Sequence, residues 1–193
     1  MRRLITLSIV FFVLLVSGCS NDGPEQLSYD EIKSLPLNEQ IRSVVDNTKL
    51  IEDEYEVVVD GNSIAIVYPA EYISDDRLTL DNSKESFPNL AMTLVEHLSI
   101  LGIDEIVITS YEPLTNLTKV SALFSKETVE ELDFGKWKDE KDDYPQRFYR
   151  YSDAYLIRGN VWEKLDDETR DKVGQSSKSY NSQFWDYYGS YIE

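Results

Sequence analysis

Residues 55–68 read Tyr55-Glu56-Val57-Val58-Val59-Asp60-Gly61-Asn62-Ser63-Ile64-Ala65-Ile66-Val67-Tyr68, and this stretch decides the fold. Tyr55, Val57 and Val59 fall on one side of an extended chain. Ile64, Ile66 and Tyr68 resume the alternation a few residues later. Asp60-Gly61 between the two runs is a tight-turn pair, so the stretch predicts a β-hairpin that Pro69 ends.

Residues 70–87 follow as a long polar excursion with room for one helical turn. From Asn89 to Leu101 the period changes. Leu90, Leu94, Val95, Leu98 and Leu101 share a helical face, and Gly102 is a natural stop. Ile106 and Ile108 then mark a strand over 104–110, broken by Pro113. Val120, Ala122 and Phe124 mark another over 118–124, and Ser125 caps a short helix through Leu132. Toward the N-terminus, Ser28 and Glu31 have capping-box spacing for a helix from Tyr29. Leu37, Ile41, Val44 and Val45 give a second helix near 37–48. The core unit is therefore β-β-α-β-β, with four antiparallel strands and a helix on one face. The fold class is α+β: a small antiparallel sheet with flanking helices and an aromatic-rich helical C-terminus.

That C-terminal third holds 14 of the 23 aromatic residues, between Phe134 and Tyr191. Residues 136–143 (KWKDEKDD) read as a charged loop, and 148–157 as a strand or a turn of helix. Asn160 caps a helix holding Val161, Trp162 and Leu165. A second helical stretch is expected from Asp167 to near the end. Val173, Tyr180, Phe184, Tyr187 and Tyr191 would form its buried stripe. Trp137, Trp185 and Tyr188 fall off that stripe. They are the candidate binding residues, because tyrosine and tryptophan join apolar area to a polar tip and suit protein or sugar recognition.

The first twenty residues have a different character. Arg2 and Arg3 precede an uncharged apolar run from Leu4 to Val16, and Val16-Ser17-Gly18-Cys19 follows. A basic start, an apolar middle and small residues before a cut site make an export signal. The run of 13 residues is short of the roughly 20 that a spanning helix needs. The chain's only cysteine, directly after Ser17-Gly18, resembles the lipobox of bacterial lipoprotein precursors, although Val16 stands where the family more often has Leu. The resemblance implies that Cys19 becomes the first mature residue and carries diacylglycerol on its sulfur. It also implies a protein held by lipid on the outer face of the cell membrane, or on the periplasmic side in two-membrane bacteria. The domain division is then 1–18 signal peptide, 19–27 lipidated flexible tether and 28–193 a single extracytoplasmic domain. Extended, the tether reaches only about 25–30 Å.

Charge narrows the partners. With the signal removed, 17 basic residues face 36 acidic ones, a net −19. Phosphate binding over a large face needs the opposite sign, so nucleic acid is not an expected partner. A basic partner or cations suit the domain better. With one histidine, His97, and Cys19 lipidated, the ligand count excludes the usual zinc and thiol-protease sites. No dinucleotide or phosphate-loop glycine pattern occurs, so no cofactor is expected. The reading is a non-enzymatic binding module at the cell envelope, with a protein or envelope component as partner. Two alternatives accompany it. One is an envelope hydrolase using paired carboxylates, with Glu71, Asp75 and Asp76 in the polar excursion as the wall of its cleft. The other is a calcium-responsive domain, although the clusters at Glu52–Glu54, 139–143 and Asp166–Glu168 lack calcium-loop spacing.

Overall fold

A computed structural model of the chain describes residues 28–51, 54–70, 79–80, 83 and 86–189. Cys19 and the tether lie outside the described residues, as do Glu71, Asp75 and Asp76. Two helices lead, α1 (Tyr29–Lys33) and α2 (Leu37–Thr48). The hairpin follows as β1 (Glu56–Asp60) and β2 (Ser63–Pro69), and then α3 (Phe87–Leu98), β3 (Glu105–Glu112) and β4 (Leu117–Ser125). The remainder alternates: α4 (Lys126–Glu131), α5 (Phe134–Glu140), α6 (Phe148–Tyr151), β5 (Ala154–Ile157), α7 (Gly159–Trp162), α8 (Asp167–Lys172) and β6 (Ser176–Lys178). A π-helical turn over Trp185–Gly189 ends the described chain. The six strands form one mostly antiparallel sheet in sequence order, with flanking helices, so the fold is α+β.

The hairpin closes as its sequence requires. Asp60 pairs with Ser63, and Gly61 takes a φ of 61° in the two-residue loop. The next step departs from the expected four antiparallel strands, because β2 and β3 pair in parallel. The reason lies in the helix between them. α3 carries the chain back along the sheet, so β3 starts at the same end as β2. Gly102, with a φ of 66°, turns the chain after a short 3₁₀ segment, Ser99–Leu101. Asn62 clamps that corner. Its side-chain amide donates to Gly102 O at 3.0 Å, and its own carbonyl accepts from Asp104 N at 2.9 Å.

Alternation along the strands divides the core. Ile64, Ile66 and Tyr68 share one face with Ile106, Ile108, Ala122, Phe124, Tyr155 and Ile157. Against them pack Ile41, Val44 and Val45 of α2, and Leu90, Leu94, Val95 and Leu98 of α3. Phe148 is the hub of the aromatic part. Its ring centroid lies 5.1 Å from Tyr149, 5.6 Å from both Phe87 and Phe124, and 6.3 Å from Trp137. The other face is smaller. Ala65, Val107, Leu123 and Ala154 are covered there by Phe184 and Trp185.

Two stretches of the C-terminal third differ from expectation. The charged segment 136–143 lies mostly in α5, where Asp133 Oδ1 accepts from Lys136 N at 2.9 Å and Trp137 anchors the helix to the core. The expected long helix from Asp167 stops at Lys172, and β6 intervenes before the chain turns again near Trp185. Val173 is extended, and Gly174 beside it passes the Tyr155 hydroxyl, so the helical phase is lost at that point.

Phe148 is fully buried, and truncation would leave a ring-sized void that four rigid aromatic neighbours cannot close. Phe148→Ala is expected to cost about 3–5 kcal/mol in urea unfolding with an unchanged m-value. Burial also raises the phenol pKa of Tyr68 and Tyr149 well above the ordinary range. Unfolded phenols ionise at about pH 10. The folded state therefore keeps protons that the unfolded chain releases. Stability is complete below about pH 10 and falls as pH rises further. Among the described residues the Tyr68 hydroxyl lies outside hydrogen-bonding geometry with any partner. Tyr68→Phe is therefore expected to stay within about 1 kcal/mol of the parent at neutral pH. Its melting temperature should also fall less steeply above about pH 10.

Candidate functional site

The sequence nominates Trp137, Trp185 and Tyr188, and the sheet separates them. Trp137 is 3% exposed and belongs to the helical layer, where its ring packs on Phe148 and lies 6.2 Å from Tyr151. Trp185 is also 3% exposed, but it covers the opposite face of the sheet. Neither offers a ring face to solvent for stacking. Both lie off the apolar stripe read from the sequence, and both are core residues, because each sheet face needs its own cover.

Tyr188 is placed differently. It is half-buried beside Phe184, with ring centroids 4.7 Å apart, and beside Tyr187 at the same distance. Tyr187 was expected on the buried stripe and is instead 66% exposed. The break after α8 resets the helical phase, so spacing counted through it carries no information about faces. Tyr180 and Tyr188 pack on the second sheet face, Tyr187 packs against Tyr188, and Asp186 beside them pairs with Lys178.

This surface is held from below. Trp185 N donates to Ser182 Oγ at 2.8 Å, and Asp186 N to Ser182 O at 3.2 Å. Gly189 lies directly on the Trp185 ring, where a Cβ would overlap the six-membered ring. The electrostatic setting is acidic. Partial burial raises the Tyr180 phenol pKa, and the fields of Glu105, Glu127, Asp153 and Asp104 add to it. Neutral phenols on an acidic background suit a cationic group, which gains from both the carboxylates and the ring faces.

A second concavity lies in the helical layer. The C-terminal end of α2, the outer face of α3 and α5 enclose an open groove of about 420 Å³. Trp137 contributes to its wall, so this candidate residue does reach a surface feature, though its ring faces are packed inward. Lys49, Lys138 and Lys141 stand around it with Glu96, and Thr48, Thr93 and Asn89 supply neutral polar groups. No sequence motif announced this groove, because its residues come from three separated helices.

At the end of the sheet where β2 stops, Lys119 is 5% exposed. Ser110 pairs with Val120 and Tyr111 with Thr118, so Lys119 is the extra residue of a bulge. Its ammonium donates to Ala70 O at 3.0 Å and pairs with Glu112 at 3.1 Å, fastening β4 to the point where β2 ends. His97 is exposed on α3. Asp166 caps α8 by accepting from Thr169 N at 2.8 Å. That bond, the largest cause, lowers its pKa, while Asp167 and Glu168 occupy the positive end of the helix dipole. Among the described residues no group of three or more His, Cys, Asp or Glu side chains is placed to hold a metal ion. No described helix is long and apolar enough to cross a membrane.

Comparisons with protein-family models, with curated proteins and with solved structures find no match.

Gly189→Ala is expected to push the Trp185 ring or the terminal turn off the sheet, at a cost of about 1–3 kcal/mol. A lowered melting temperature and red-shifted tryptophan emission would register this. An unchanged spectrum would mean that the turn does not depend on the ring.

Proposed function

We propose that this chain is a lipid-anchored, extracytoplasmic module that binds a partner at the cell envelope without chemically transforming it. One observation carries the binding reading. Tyr187 is largely exposed and its ring packs against Tyr188, which with Tyr180 covers the second sheet face, and Glu105, Glu127, Asp153 and Asp104 act on Tyr180. Exposed tyrosines give contact area at small entropic cost, and the acidic setting selects a partner that presents lysine or arginine. Anchoring rests on the Arg2-Arg3 start, the apolar run and Ser17-Gly18-Cys19. Lipid on Cys19 would hold the domain by its acyl chains, at about 0.8 kcal/mol per buried methylene. The short tether would keep the aromatic surface near the membrane, favouring a partner that is itself membrane-bound or that diffuses to the membrane.

Crosslinking in cells that produce the full chain tests both parts. Cys19→Ser is expected to move the protein from the membrane to the soluble fraction; retention on the membrane would sink the anchor. Tyr187→Ala with Tyr188→Ala is expected to leave membrane association intact and remove the crosslinked partner. If the partner is captured equally well by that variant, the aromatic surface is not the binding site.

A further inference from the structure

We propose that the groove between α2, α3 and α5 binds a polyhydroxylated anion, a sugar- or polyol-sized molecule carrying a carboxylate or a phosphate. The inference is independent of the aromatic surface, which lies over the other face of the sheet. Its first support is a local reversal of charge. The whole chain has 36 acidic residues to 19 basic ones, yet the groove is lined by Lys49, Lys138 and Lys141 against one carboxylate, Glu96. At physiological ionic strength fields decay over about 8 Å, so the local balance is set by these three lysines and the two carboxylates beside them, Glu96 and Asp142, rather than by acids farther away.

Lysines at helix C-termini often serve the helix dipole alone. Their bonds here point elsewhere. Lys138 donates to Glu96 Oε1 at 2.6 Å, and Lys141 to the adjacent Asp142 at 3.1 Å. Both pairs are solvent-exposed, with Lys138 and Asp142 mostly in water, and such pairs exchange partners at little cost. Lys49 stands at the end of α2 in the left-handed conformation, and among the described residues no ion pair is made by it.

The neutral groups define the rest of the ligand. The Thr48 hydroxyl spends its proton on Val45 O at 2.6 Å, and Thr93 spends its proton on Asn89 O at 2.8 Å. The Asn89 amide nitrogen donates to Ser83 O at 3.2 Å. Acceptor capacity remains on each side chain: hydroxyl lone pairs on Thr93, the one Thr48 keeps after accepting from Leu50 N at 3.4 Å, and the carbonyl oxygen on Asn89, whose amide also keeps a second N–H. A site with ammonium donors on one side and acceptors on the other fits a molecule that combines an anionic head with hydroxyl donors. The volume of about 420 Å³ suits a single ring or a short polyol.

The test is a nuclear magnetic resonance titration of the full chain in detergent, following the Trp137 indole and the Lys49 and Thr93 amides. The probes are glucuronate, glycerol 3-phosphate and, as the neutral control, glucose. Saturable shifts with either anion and none with glucose are expected; the anion that shifts them identifies carboxylate or phosphate as the head group. Lys49→Ala with Lys141→Ala should weaken binding at least tenfold while leaving the rest of the spectrum in place. The proposal is overturned if neither anion gives saturable shifts, if glucose matches them, or if the double variant binds with unchanged affinity.

Discussion

The parallel pairing of β2 with β3 is the constraint on which the rest of the structure depends. Neighbouring parallel strands cannot be joined by a tight turn, so the chain must cross back over the sheet. The crossing segment is α3, and its apolar face roofs Ile64, Ile66, Ile106 and Ile108. α2 packs beside α3, and the groove lies where the end of α2, α3 and α5 come together. The antiparallel strands that follow extend the sheet away from this centre, and Leu123 and Ala154 join Ala65 and Val107 on the second face that the aromatic C-terminal turn covers.

Legibility in the sequence follows how locally each feature is determined. The hairpin over 55–68 was readable because alternation, Asp60-Gly61 and Pro69 all act within a few residues. The helix beginning after Ser86 was readable from its stripe and its stop at Gly102. The direction of β3 was not, since alternation is the same for parallel and antiparallel neighbours. α5 was hidden because charged residues outnumber its buried anchor, Trp137. β6 was hidden because Ser176–Lys178 is exposed throughout and joins the sheet only through its backbone.

The candidate surface was legible only in part. Tyr188 does lie at an exposed aromatic patch, but its most exposed member, Tyr187, was assigned to the core by counting through a helix that breaks at Val173. Trp137 and Trp185 satisfy two different cores, one on each side of the sheet, and a one-dimensional stripe has no way to represent a second face. The lysine groove left no trace in the sequence, because its charges are minorities within acidic stretches and acquire their meaning only when three helices bring them together.

The division of labour between the two faces also has a consequence in time. In a chain synthesised from its N-terminus, the residues of the first face, from Ile32 to Val173, all precede Ser182 and Trp185. Until then Ala65, Val107 and Leu123 form an apolar sheet surface with no lid, and open sheet surfaces are what nascent chains aggregate through. The Trp185 indole that rests against Gly189 comes last in chain order among the buried residues that cover this face. A chain interrupted shortly before it would display a nearly finished fold with its sticky side outward, the kind of form that quality-control proteases recognise.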